Sequence, residues 1–132
     1  MRRRELREQI FKLLFRVEFN PAEDMPEQVQ LFFQQDEPLK EKNQEEITQK
    51  YEKITEHLAK IDEMIEETSS GWNISRMGKV DLTILRLAVF EMKFDEDIPV
   101  SVAINEAVEL AKKFGQDESP SFINGVLAKF AK

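Results

Sequence analysis

The apolar positions of this chain recur at helical spacing almost from end to end. Leu6, Ile10, Leu13, Leu14 and Val17 lie on one face at 3.6 residues per turn, which predicts an amphipathic helix over about residues 4–19. Asn20-Pro21 ends it. Pro26 suits a first helical turn, and Val29, Phe32 and Phe33 carry a short second helix to about Gln35. Pro38 falls in the following turn. From Lys40 to Thr68 the apolar residues are Ile47, Tyr51, Ile54, Leu58, Ile61 and Ile65, spaced by alternate steps of 4 and 3. That narrow seam predicts one long helix packed antiparallel within the domain, with Glu, Lys and Gln on its other faces. Ser69-Ser70-Gly71 breaks it.

The second half is more apolar. Val80, Ile84, Leu85, Leu87, Ala88 and Met92 form a face broad enough to predict a central, deeply buried helix ending near Asp95. Ile98-Pro99 opens the next helix, whose wide face runs from Val100 through Ala103, Ile104, Ala107, Leu110 and Ala111 to Phe114. Lys112 and Lys113 complement its negative end, and Gly115 is expected as a left-handed cap. Pro120 reopens a last helix with Ile123, Val126, Leu127 and Phe130 inward. Gly125 inside that helix costs about 1 kcal/mol relative to alanine. It therefore points to close approach by another backbone or a ligand, against the alternative of a plain turn at Asn124-Gly125. Nothing reads as a strand pair. The expectation is an all-α bundle of about six to seven helices, as one domain or two small halves sharing a core.

Composition narrows the function classes. The 132 residues are 41% hydrophobic and 34% charged, with a formal charge of −7 and no cysteine. Disulfide and thiolate chemistry are excluded, and the usage fits a reducing cytoplasm. No apolar run approaches the roughly 18 residues that cross a bilayer. Ile10 to Phe15 follows a basic start, but Lys12 and Arg16 interrupt it, so no signal peptide is expected. The charge is unevenly spread. Residues 1–16 hold six bases (Arg2, Arg3, Arg4, Arg7, Lys12, Arg16) and two acids, or +4, leaving −11 on the remaining 116 residues. A basic segment on an acidic body marks a local site for a polyanion.

On a helical projection Arg4, Arg7, Phe11 and Phe15 share a flank beside the apolar sector of the first helix. Guanidinium forks contact phosphates and rings stack on unpaired bases, so this flank suits RNA. Two other readings stand beside it at this point. Phe11 and Phe15 are the edge of the core, or the helix lies on a membrane surface, where the acidic remainder is repelled by anionic lipid. Enzyme chemistry has little to work with. His57 is the single histidine and lies beside the apolar seam. Zinc sites of the usual type are absent, the acids at 95–97 are weak evidence for a cation site, and the four glycines form no phosphate-cradling loop. Phe122 sits at the edge of the inward sector of the last helix, where it either packs or presents its ring to a partner.

Ordered motifs of the second half carry a resemblance. Arg76-Met77, Val80-Asp81, Ile84-Leu85-Arg86-Leu87-Ala88, Ile98-Pro99, Ile104-Asn105-Glu106-Ala107, Lys112-Lys113-Phe114-Gly115 and Phe122-Ile123-Asn124-Gly125-Val126-Leu127 follow Trp72 in sequence. Together they closely resemble the NusB family of transcription antitermination factors. The arginine-rich first helix matches that family in kind and place, whereas residues 20–70 match only in helical pattern and length. The resemblance implies a single RNA-binding domain over residues 1–132, with an N-terminal helical half of about residues 1–70 and a C-terminal half of about 71–132. It implies a cytoplasmic, bacterial, non-enzymatic factor without cofactor or metal. Such a factor binds boxA-type single-stranded RNA of ribosomal operons together with NusE, a small-subunit ribosomal protein, in an antitermination complex on RNA polymerase.

Carried over by position, the RNA contacts implied are Arg2, Arg3, Arg4, Arg7, Lys12, Phe15 and Phe122, and Asp81 is implied as a NusE contact. Phe15 replaces a tyrosine of the family, which keeps stacking and loses a hydroxyl. Glu5 interrupts the basic cluster where the family often continues with arginine, which implies weaker RNA binding without the partner. Some RNA cytosine methyltransferases carry a similar N-terminal domain; with the chain ending at Lys132, no such activity is expected. The competing class is a protein-binding helical adaptor or homodimer whose basic first helix docks on an acidic partner.

Overall fold

The computed structural model describes residues 1–35, 38–69 and 73–131. The described residues form seven α-helices and three short 3-10 turns, with no strand among them. The sequence-derived break at Ser70-Gly71 and Trp72 lie outside the described residues. Two compact units are formed, Met1–Thr55 and Glu56–Lys132.

The first unit begins with α1 (Arg3–Phe15), which passes into a 3-10 turn at Arg16–Glu18. The helix buries the face read from its spacing, Ile10, Leu13 and Leu14, together with Phe11. Asn20 caps the turn, its Nδ2 donating to the Arg16 carbonyl at 2.9 Å. A second 3-10 turn (Ala22–Asp24) leads into α2 (Met25–Gln35), with Pro26 in its first turn as the missing N–H allows. Arg16 fastens these pieces. Its Nη1 donates to the Gln28 carbonyl (3.3 Å) and Oε1 (3.0 Å), its Nη2 donates to Gln35 Oε1 (2.5 Å), and its guanidinium lies 5.4 Å from the Phe32 ring centre. The unit ends in α3 (Glu41–Glu56), with Ile47, Tyr51 and Ile54 buried. Burial, with Glu52 nearby, pushes the Tyr51 phenol up from its ordinary pKa.

The expected single helix over 40–68 is two helices. His57, at φ −100° and ψ 6°, stands between α3 and α4 (Leu58–Thr68). Local hydrogen bonding accounts for a weak point there. Thr55 Oγ1 donates back to the Glu52 carbonyl at 2.9 Å, a contact that competes with the helical ladder. The His57 ring then lies 4.4 Å from that of Phe94 and 6.2 Å from that of Phe90.

In the second unit α4 is followed by a 3-10 turn (Ile74–Arg76), α5 (Lys79–Lys93), α6 (Val100–Phe114) and α7 (Ser119–Phe130). As the broad apolar face predicts, α5 is central and packs on α4, α6 and α7. Every residue from Leu82 to Glu91 is buried, and each fully buried Ile or Leu stabilises by about 1.5–3 kcal/mol. Two of its buried polar side chains are matched. Arg86 makes a planar fork to Asp62 of α4, Nε to Oδ1 at 2.8 Å and Nη2 to Oδ2 at 2.9 Å, and Thr83 Oγ1 donates to the Lys79 carbonyl at 2.8 Å.

Two glycines differ from expectation. Gly115 does end α6, but at φ −93° and ψ −168°, which is extended rather than left-handed. Glycine is required there by proximity, since an added Cβ would lie 2.6 Å from Ser119 Cβ and 2.8 Å from the Ala111 carbonyl. At Gly125 nothing approaches a Cβ within 4 Å. Among the described residues no close backbone explains that glycine, and its position on α7 is exposed.

Candidate nucleic-acid interface

The first candidate surface is the start of α1. Arg2 precedes the helix in extended conformation and makes no side-chain cap. Arg2, Arg3 and Arg4 are exposed, and Arg7 is half-buried. Four cationic residues therefore gather at the positive pole of a helix, whose first backbone N–H groups also seek acceptors. Arg3 and Arg7, four apart, add like-charge repulsion. This arrangement costs helix stability and raises anion affinity. Glu5, in the first turn, supplies the acid that the dipole favours.

Lys12 is partly exposed and meets Glu8 at 3.9 Å, one turn earlier. Such a pair contributes about 0.3–0.5 kcal/mol. Arg16, counted with the basic segment, is spent inside the first unit on α2.

The aromatic part of the flank divides by depth. Phe11 is 3% exposed and belongs to the core, as the less specific reading of the sequence has it. Phe15 is half-buried, its ring 6.1 Å from that of Phe11 and 5.0 Å from that of Phe19 in an edge-on contact. Phe19 is 60% exposed. The three rings form a row at i, i+4, i+8 that runs from core to solvent. Sequence reasoning did not single out Phe19, although its spacing of four from Phe15 was a usable signal.

The second candidate surface belongs to the other unit. Phe122 is half-buried on α7 and Asp81 is half-buried in the first turn of α5. Both line one pocket of about 680 Å3, together with Arg76, Lys79, Phe114 and Ser119. Sequence reasoning assigned Phe122 and Asp81 to different partners; in the fold they share one concavity. It also passed over Phe114, Arg76 and Lys79, which the chain brings there from α6, the preceding turn and the start of α5. Asp81 Oδ1 is shielded from solvent and has no hydrogen-bond partner among the described residues. An unmet buried acceptor costs about 1–3 kcal/mol.

Among the described residues no group of three or more His, Asp or Glu side chains could hold an ion. The acids at 95–97 form a turn in which Asp95 Oδ1 accepts from the Asp97 N–H at 3.1 Å. No helix of the described residues is long and apolar enough to cross a membrane.

Comparison with known proteins agrees with this architecture. The NusB family model matches residues 4–132. The transcription antitermination protein NusB of Lachnoclostridium phytofermentans is 52% identical over 129 residues, covering 98% of each chain. That of Agathobacter rectalis is 52% identical over 131 residues, 99% of this chain and all of the relative. Among solved structures, NusB from T. maritima superposes with a TM-score of 0.87 at 37% identity, over 99% of this chain and 91% of that one. A structure of the antitermination factors NusB and NusE in complex with dsRNA superposes at 0.83 and 25% identity, over 98% of this chain and 97% of that one. By motif, fold and overall likeness, the chain belongs to the NusB family.

Proposed function

We propose that this chain is a non-enzymatic, RNA-binding transcription antitermination factor of the cytoplasm. It binds boxA-type single-stranded RNA together with NusE and so supports transcription of ribosomal operons within a complex on RNA polymerase. The observation that carries the reading is the gathering of Arg2, Arg3, Arg4 and Arg7 at the positive pole of α1, against the electrostatic preference of the helix. A protein that retains such a cost on an otherwise acidic body has a use for it, and RNA supplies the phosphates. Membership of the family supports the same reading, since relatives 52% identical are transcription antitermination proteins and a related NusB has been solved with NusE and RNA.

In this reading Arg2, Arg3, Arg4, Arg7 and Lys12 contact phosphates, and the rings of Phe15 and Phe122 stack on bases. NusE closes over the region of Asp81, so that RNA and protein partner meet at the pocket that Asp81 and Phe122 share. The test is a titration of a fluorescent boxA strand, its scrambled counterpart and its duplex, each with and without NusE. We expect boxA single strand to bind tightest and NusE to strengthen it about tenfold or more. Equal binding of boxA and scrambled strand in the presence of NusE would refute the assignment.

A second reading, self-association, has one observation in its favour. A groove of the first unit between α2 and α3 is lined by Glu41, Glu45 and Glu52 and by Val29 and Phe33, a chemistry suited to a basic helix. Gel filtration across a range of salt separates the two. A stable dimer that ignores RNA favours the second.

A further inference from the structure

We propose that Phe19 is a further stacking residue for the bound RNA, and that Arg16 is the residue that positions it. This rests on the RNA-binding reading above and extends its contact surface one step past α1. Arg3, Arg7, Phe11 and Phe15 follow one another four residues apart along α1. Phe19 comes four residues after Phe15, at the end of the turn that continues the helix. Residues at that spacing stand one above the other. The stripe begins with cations and ends with rings, of which Phe11 belongs to the core, Phe15 is half-buried and Phe19 is the most exposed. Phe19 meets Phe15 edge-on, and its exposure leaves ring surface on which a base can lie.

The backbone that carries this ring is fastened. The Phe19 N–H donates to the Arg16 carbonyl at 3.1 Å, and Asn20 Nδ2 donates to the same oxygen. The Arg16 side chain in turn grips Gln28, Gln35 and the Phe32 ring of α2. A guanidinium engaged in this way is an anchor, with few donors left for phosphate. The local charge also favours a base over a phosphate. From residue 13 to residue 35 the only cationic side chain is Arg16, whereas Glu18, Glu23, Asp24 and Glu27 are acids. A strand that follows the stripe therefore meets phosphate-binding groups at the start of α1 and acids beyond its end. What can hold it at the end is stacking, which tolerates any base and needs no cation. Continuity with Arg7 and Phe15, both assigned to RNA above, favours a base over an apolar side chain of a protein partner as the occupant.

The experiment measures binding of the full chain to a labelled boxA strand by fluorescence anisotropy over a range of salt, with and without NusE. Phe19→Ala is expected to weaken binding about tenfold and to leave the log–log salt slope as it is. Phe19→Leu, which keeps an apolar side chain without a ring face, should lose about as much, and Phe19→Trp should bind at least as tightly as the wild type. Arg16→Ala should weaken binding with no change of slope, and adding Phe19→Ala to it should cost little more, since both act on one ring. Strands with one abasic nucleotide at successive positions locate the base. At that position the wild type loses about tenfold and Phe19→Ala loses nothing further. Wild-type affinity in Phe19→Ala or in Phe19→Leu overturns the stacking role while leaving the RNA reading intact. A slope reduced by about 0.7 in Arg16→Ala makes Arg16 a phosphate contact and overturns its positioning role. Loss in Phe19→Ala only when NusE is present assigns the ring to the protein partner and overturns the proposal. Failure of the wild type to bind any strand, alone or with NusE, removes the RNA reading and the proposal with it.

Discussion

Two glycines ten residues apart show how differently the same residue type is used. Gly115 stands where an added Cβ would meet Ser119 at 2.6 Å, and Ser119 is held in place because its Oγ accepts from the Gln116 N–H at 2.9 Å. Gly115→Ala must displace that junction between α6 and α7 and is expected to destabilise by about 1–3 kcal/mol. Gly125→Ala meets nothing and replaces a poor helix former inside α7, so it should stabilise by about 0.5–1 kcal/mol. Urea unfolding of both variants checks the opposite signs. Equal effects at the two sites would mean that the close approach at Gly115 is absent in solution. Neither role was legible in the sequence. A helix-terminal glycine suggests a left-handed cap by default, and crowding of a Cβ by a residue four positions on appears only in the packed chain. The projection of α1 had a similar limit. It grouped Phe11 with Phe15 by angle, but depth within the flank depends on what packs outside the helix.

At the scale of elements, period was the dependable signal and its interruptions were not. The breadth of the apolar face identified α5 as central, and proline positions located the starts of α2, α6 and α7. The break at His57 was invisible, because the seam from Ile54 through Leu58 to Ile61 keeps its step across it. The pocket was invisible for the same kind of reason, since α5, α6 and α7 each contribute an edge that has no meaning alone. Within α1 the sequence suggested that Glu5 weakens RNA binding, and its place in the first turn adds a second effect. An acid at the positive pole contributes about 0.3–1 kcal/mol to the helix. Glu5→Gln is therefore expected to tighten RNA binding several-fold and to lower the unfolding free energy by about 0.5 kcal/mol. Paired titration and thermal melts read both quantities. A variant that gains affinity with no loss of stability would show that Glu5 acts on RNA alone.

For the whole molecule, the separation of charge makes a quantitative claim about binding. If contact were spread over the surface, a body of −11 would repel RNA and salt would strengthen association. If contact is local to the start of α1, salt weakens it in proportion to the phosphates neutralised. Four arginines and Lys12 on a single strand correspond to a log–log slope of roughly −3.5, or a loss of about 130-fold between 50 and 200 mM salt. Removing two of the five contacts should bring the slope to roughly −2. Arg4→Ala with Arg7→Ala is then expected to show a loss of only about 20-fold over the same range, with weaker binding at 50 mM. Substitutions at exposed acids of α3, such as Glu45→Gln and Glu46→Gln, should raise affinity slightly at low salt and leave the slope as it was, because they change the repelling field and not the number of phosphates held. An unchanged slope in the double arginine variant would relocate the RNA away from α1, whatever its affinity.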